Sequence, residues 1–262
     1  MSFFVNNVEL KEATFNQQEV KSIYFNTHLI WEAASWPGWA NATWEDVYNL
    51  CKQKQNGEIT AWPDDVVLGA TKETTLSTEV SGLTTYTMRI IGLDIDGSGV
   101  VTFDCNHTGD IQLKDSQSDM NTTCQNFYNY CNAKPYIKVL KKGVARQDDW
   151  RNGAVKYTDS YVWLLSEREV NLNKYSGISV ANSTLTKAEC TYGVNQPYPY
   201  FTSDETRIKN KKNNSPIGWS TRSNNRYNTV NASIVQILKN GKSDVPGIAP
   251  NNHFFSPCFA IG

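Results

Sequence analysis

Long hydrophobic runs are missing from this 262-residue chain. No apolar stretch approaches the ~20 residues that a membrane-spanning helix requires, which argues against membrane insertion. The first residues, Met1-Ser-Phe-Phe-Val-Asn-Asn7, lack a basic segment followed by an apolar one. No signal peptide is therefore expected, and synthesis in the cytoplasm is. Charge is also scarce: Asp, Glu, Lys and Arg make up 19% of the residues, and the formal net charge is -1. That balance offers no basic field for nucleic acid and no acidic field for metal storage. The three histidines, His28, His107 and His253, have no ligand-type spacing with each other or with cysteine. The six cysteines form no C-x-x-C, so they are expected as small buried hydrophobes of a protein made in a reducing cytosol. Disulfides formed after release from a cell are the alternative, and spacing alone does not pair them. A Gly-rich phosphate loop, a nucleophile elbow, internal repeats and low-complexity tracts are all lacking.

Aromatic residues, by contrast, are plentiful at 12%, with eight Trp and ten Phe among them. They supply enough apolar surface to exclude disorder. Together with abundant Asn, Ser, Thr and Tyr they predict an α+β, β-rich protein with many loops. Strands are predicted at Phe3–Val5, Glu19–Phe25 and His28–Trp31, the last two joined in a hairpin at Asn26-Thr27. Pro37 and Gly38 break this pattern. The expected domains are a small N-terminal β-hairpin module over 1–35 and a larger domain over 36–262. Thr43, Glu45 and Asp46 predict the start of a helix whose buried face carries Trp44, Val47, Leu50 and Cys51, with Gly57 ending it. Further strands are expected at Val66–Leu68, Tyr86–Ile91 and Val100–Phe103. Further helices are expected over Met120–Cys131, from Ser166 through Glu169, and over 204–212. Ile234–Lys239 followed by Asn240-Gly241 signals a hairpin, and 171–202 reads as loop.

Four segments carry residues suited to chemistry. Asp94-Ile-Asp96-Gly-Ser98-Gly99 sets oxygens at positions one, three and five of a calcium-type loop, with glycine at six. Position twelve is Cys105 rather than Glu, so a Gly-rich turn between strands is the favoured reading and no cofactor is expected. Ser166 and Glu169 fit a capping box better than an acid/base pair. Arg207-Ile-Lys-Asn-Lys-Lys212 reads as a solvated basic face, with contact to an anionic glycan or partner as its alternative. Residues 219–231 combine Trp, Arg, Tyr, Asn and Ser, the types that binding surfaces favour, although an exposed loop between core strands has the same composition.

Tyr161-Val-Trp-Leu-Leu-Ser-Glu-Arg-Glu-Val170, Tyr198-Pro-Tyr-Phe201, Trp219-Ser-Thr-Arg-Ser223 and Ser256-Pro-Cys-Phe-Ala-Ile261 occur in this order along the chain. They resemble a phage and prophage domain family of unassigned function, whose members read W-L-L-S-E-R-E-V, Y-P-Y-F, W-x-R-S and a terminal G-V-x-P-x-F. Arg89-Ile-Ile-Gly-Leu-Asp94, Val101–Phe103 and Met120-Asn121 match more loosely, so the resemblance spans roughly 40–262. Phe254-Phe255 stands where that family has Gly-Val. Val20–Asn26 and Leu29–Glu32 are similar to small β-modules at the start of phage tail and fibre proteins, with Thr27 in place of their Gly.

The resemblance implies a C-type-lectin-like fold, of the broad kind shared with formylglycine-generating enzymes. It further implies a non-enzymatic virion protein of a tail fibre or baseplate, located in the virion and forming a homo-oligomer. Its N-terminal module would attach to other virion proteins, and its lectin-like domain would bind a host-surface glycan or protein. The expected contact residues are Trp219, Arg222, Asn224, Arg226, Tyr227 and Asn228, with Asn251, Asn252 and His253 as a second displayed loop. A capsid decoration or head-fibre protein is the alternative. An enzyme related to the formylglycine-generating group is a more distant one, because it would need a cysteine pair and only Cys190 and Cys258 lie late in the chain.

Overall fold

The structure, a computed structural model, describes residues 3–5, 8–10, 13–15, 18–20, 22–25, 28–32, 36–109, 112–113, 117–145, 155–166, 169–171, 174–175, 178–179, 197–211, 215–224, 234–244 and 253–262. The chain divides into two compact units, Met1–Gly38 and Trp39–Gly262. Strands outweigh helices, and the named strands pair antiparallel.

Three short hairpins make up the first unit. β1 (Phe3–Val5) pairs with β2 (Val8–Leu10), and β3 (Ala13–Phe15) pairs with β4 (Gln18–Val20). β5 (Ser22–Phe25) pairs with β6 (His28–Glu32), with Phe25 opposite His28, so the hairpin connection falls at Asn26-Thr27. The single strand predicted over Glu19–Phe25 is instead two, because Val20 pairs backwards with Ala13 while Ser22 pairs forwards with Glu32.

The second unit opens with α1 (Trp44–Gln55). Its Thr43 cap and Asp46 exchange hydrogen bonds in both directions, which satisfies two otherwise orphaned donors at the helix start. At the other end Gly57 donates to the Lys54 carbonyl and Glu58 to that of Gln53, the paired closure of a Schellman turn. Trp44, Val47, Leu50 and Cys51 form the buried face.

Next come β7 (Thr71–Val80), β8 (Leu83–Leu93), β9 (Val101–Cys105), β10 (Gln112–Leu113) and α2 (Gln117–Tyr130). β11 (Leu140–Ala145) and β12 (Val155–Ser160) form a hairpin, and β13 (Val162–Trp163) and the paired β14 (Lys174–Tyr175) and β15 (Ile178–Ser179) follow. α3 (Asp204–Arg207) precedes β16 (Lys209–Asn210), β17 (Pro216–Ile217), β18 (Trp219–Asn224), β19 (Ile234–Ile237), β20 (Ser243–Asp244), β21 (His253–Phe254) and β22 (Cys258–Ile261). The helix predicted over 204–212 thus stops at Arg207, and Lys209 turns into a strand. α2 begins ahead of the predicted Met120. Val66–Leu68 forms no strand. Val66 is buried while Val67 and Leu68 are exposed, and the extended segment starts later, at Thr71. No helix among the described residues is long and apolar enough to cross a membrane.

The main sheet has the order β13-β22-β9-β8-β7. The C-terminal strand β22 therefore lies inside it, held by β9 on one side and β13 on the other. Side chains alternate between the faces of a strand. On one face Phe259, opposite Phe103, meets the helices: Trp44 of α1 lies edge-on to both rings at 5.1 and 5.5 Å, and Phe127 of α2 packs against Tyr86 and Phe259. On the other face Cys258 and Ala260 join a core built from Trp163, Leu165, Tyr198, Phe201 and Trp219.

A tight turn, Asp94–Gly99, links β8 to β9 and abuts α1. Gly99 has φ +68, and a Cβ there would lie 2.6 Å from the Cys51 carbonyl oxygen and 2.8 Å from the Gln55 nitrogen. Gly99→Ala is expected to cost at least roughly 1–3 kcal/mol from backbone strain, measured as a lower urea midpoint at unchanged slope.

Candidate functional site

Register places one ionic row across the inner face of the sheet. Arg89 of β8 lies opposite Asp104 of β9, which lies opposite Cys258 of β22, which lies opposite Trp163 of β13. Asp104 is fully buried and accepts from two cations. Arg89 Nη2 lies 3.1 Å from its Oδ2, and Lys209 Nζ contacts Oδ1. Ser256 and Cys258 reach the same Oδ1 at 3.4 Å each. Arg89 is further fixed by the Asn106 and Tyr200 oxygens, and its guanidinium lies 4.4 Å from the Tyr200 ring centroid. Lys209 stands 4.2 Å over the Trp219 ring. Burying two cations on one carboxylate is tolerable only with this level of pairing.

A second cluster lies beyond Trp163. Lys142 of β11 is 2% exposed and donates to Asp96 Oδ1 at 2.9 Å, Glu169 Oε1 at 3.1 Å and the Tyr198 hydroxyl at 2.8 Å. Its ammonium sits 4.4 Å over the Trp163 ring. Glu169 Oε2 accepts the Ser166 N–H, and the Glu169 N–H returns to Ser166 Oγ, the reciprocal pair of a capping box. Of the helix predicted from Ser166 through Glu169, residues 167 and 168 lie outside the described residues, and Glu169–Asn171 is a turn. Burial, then Glu169 and Asp96, hold the Tyr198 phenol well above its ordinary pKa, so it remains a donor. Gly92 makes room for it: a Cβ there would lie 2.8 Å from Tyr198 Cδ1.

The calcium-type turn is occupied by protein donors. Asp94 accepts from the Gly99 N–H at 2.6 Å and from Trp62 Nε1 at 2.8 Å, while Asp96 takes Lys142, Tyr198 and Thr102. Among the described residues no group of three His, Cys, Asp or Glu side chains is placed to hold a metal ion. Cys51, Cys105, Cys124, Cys131 and Cys258 are buried. Burial pushes the Cys51 and Cys105 thiols up to about 12 and that of Cys131 to about 11. Cys258 is raised well above the ordinary thiol value by burial and then by Asp104. Groups so raised stay protonated at neutral pH and are poor nucleophiles. Cys190 lies outside the described residues.

The predicted contact residues separate into three sets. Trp219 is a correction: it is fully buried in the core, its Nε1 donating 2.9 Å to the Arg207 carbonyl, so it presents no surface to a ligand. Arg222 and Asn224 lie on β18, and His253 lies on β21 opposite Leu113. Strands β18 and β21 are neighbours, although about thirty residues of sequence separate them. Arg226, Tyr227, Asn228, Asn251 and Asn252 lie outside the described residues. The first three fall within the connection between β18 and β19, whose ends are joined by the pairing of Asn224 with Ile234.

The basic run also needs correction, because half of it faces inward. Arg207 is buried, donating to the Val170 and Asn171 carbonyls, and Lys209 is fully buried. Neither buried cluster was visible in the sequence. Lys142 sits in an ordinary Leu-Lys-Lys-Gly run, and its partners lie 46, 27 and 56 residues away. The only available signal was that Asp96, Ser166, Glu169, Tyr198, Trp219 and Ser256 all belong to segments already singled out. No family model, curated protein or solved structure matches this chain.

Proposed function

We propose that this chain is a non-enzymatic bacteriophage virion protein, associated with a tail fibre or baseplate, which displays a C-type-lectin-like domain to bind the host cell surface. An antiparallel sheet with two helices on one face and the C-terminal strand in its interior supports the lectin-like reading. The observation that carries the functional reading is the adjacency of β18 and β21. It brings the strand leading to Arg226, Tyr227 and Asn228 beside the strand that follows Asn251 and Asn252. Both predicted contact segments are therefore attached to neighbouring strands, the kind of support that a shared recognition surface needs.

The interior favours binding over turnover. Glu169 is spent on Lys142 and Asp104 on Lys209 and Arg89, and the Cys258 thiol is held protonated. In this reading the first unit attaches to other virion proteins, the chain assembles as a homo-oligomer, and weak sites repeated around the particle gain avidity from effective concentration.

The test is binding of purified protein to host cells or cell-wall glycan. Arg226→Ala with Tyr227→Ala is expected to reduce binding at least tenfold, with the thermal midpoint unchanged. Binding to isolated capsids but not to cells would instead make this a decoration protein. Turnover of a thiol-bearing peptide would overturn the non-enzymatic reading.

A further inference from the structure

We propose that Lys142 and Asp96 condense spontaneously into an intramolecular isopeptide bond, with Glu169 as the proton carrier. The inference is independent of the host-binding reading. It rests on one buried amine placed against two carboxylates on an aromatic floor.

An amide forms from an amine and a carboxylic acid when the two are held together, the amine can lose protons, and water is kept out. Each requirement has a residue. Lys142 Nζ lies 2.9 Å from Asp96 Oδ1, one bond from the carbon it would attack, so the encounter is already intramolecular. Lys142 is 2% exposed and Glu169 is fully buried, while Trp163 closes one side with its ring 4.4 Å from Nζ. Glu169 Oε1 lies 3.1 Å from Nζ, and Oε2 is fixed by the Ser166 N–H, so this carboxylate is aimed at the amine. Asp96 Oδ2 accepts from Thr102 Oγ1 at 2.6 Å and from the Tyr198 hydroxyl at 2.7 Å. These two donors would stabilise charge developing on Oδ2 as the carbon becomes tetrahedral.

The step balances without any co-reactant. Nζ passes one proton directly to Oδ1, and its freed lone pair attacks Asp96 Cγ, forming the N–C bond. Glu169 takes a second proton from Nζ and returns it to Oδ1. The Cγ–Oδ1 bond then breaks and Oδ1 leaves as water. Oδ2 becomes the amide carbonyl oxygen, still held by Thr102 and Tyr198. The ammonium and carboxylate charges disappear together, and Glu169 ends as it began.

The Arg89–Asp104–Lys209 cluster serves as an internal control. It also presses a buried lysine against an aspartate, but it holds Arg89 where the first cluster has a second carboxylate. Its other acceptor for the amine is the weakly basic Ser256 hydroxyl, so among the described residues no second carboxylate carries the amine's proton. Lys209 is therefore expected to remain an amine.

Intact-mass spectrometry of the purified full chain, under denaturing conditions, reads the bond directly. The expected mass is one water below that of the sequence, counted from the observed N-terminus. Protease digestion should yield a branched peptide joining the segment around Lys142 to that around Asp96. Glu169→Gln and Asp96→Ala are each expected to restore the full mass, with folding checked by near-ultraviolet circular dichroism. A full-mass native chain after prolonged incubation in the folded state overturns the proposal. So does a branch mapping to Lys209 or to Glu169, or a Glu169→Gln protein that still loses water.

Discussion

Replacing Asp104 with Ala is expected to lower the unfolding free energy of the larger unit by about 3–5 kcal/mol, the usual penalty for leaving buried charge uncompensated. For a unit of this size that corresponds to a fall of roughly 6–20 °C in the thermal midpoint. The reason is asymmetric. Among the described residues Asp104 is the one carboxylate paired with both Arg89 and Lys209, and all three side chains are nearly inaccessible. Removing it strands Arg89 beside Tyr200 and Lys209 over Trp219, both nearly inaccessible to water. Lys209→Met acts differently, because Asp104 keeps Arg89 and the methionine fills much of the lysine stem's volume. Its cost should be nearer 1–2 kcal/mol, approximately that of the lost hydrogen bonds. Denaturant titrations of the two variants test the ranking. Equal losses would mean that Asp104 is balanced by packing rather than by its two partners.

What the sequence reveals here depends on how far a signal must reach. Helix α1 was legible from end to end because its cap, its first-turn acids and its apolar face all lie within one short segment. The hairpin at Asn26-Thr27 and the one beside Asn240-Gly241 were legible for the same reason. Strand β7 was not. It is an edge strand with only Thr74, Leu76 and Val80 buried, so its Thr- and Glu-rich face carries no hydrophobic alternation to find. The run Val66–Leu68 misled for the opposite reason, being apolar but lying in a connection with two of its three residues outside.

The ionic clusters were hidden because each charge has its partner far along the chain. Lys209 and Asp104 are 105 residues apart, and Lys209 looked like one more charge in a solvated run. The candidate contact surface was only partly legible. Packing sets β18 and β21 side by side, a non-local fact, whereas the composition of 219–231 suggested binding without revealing that Trp219 is buried.

Trp219 marks that division, and Trp219→Ala is the sharper test of it. The side chain is fully buried among Trp163, Phe201 and Ile237, with Lys209 stacked on one face. Truncation removes a large apolar volume, leaves the Arg207 carbonyl without its donor and uncovers the Lys209 ammonium. The expected loss is about 3–5 kcal/mol, as for other buried aromatic truncations. Trp219→Phe, which keeps a ring beneath the lysine but not the indole N–H, should lose about half of that. Host-surface binding per folded molecule should stay at the native level in Trp219→Phe, because no part of the indole reaches solvent. If that variant instead loses binding while keeping its thermal midpoint, Trp219 touches the ligand in a rearranged state. Recognition would then begin inside the motif rather than at the segments beyond Asn224.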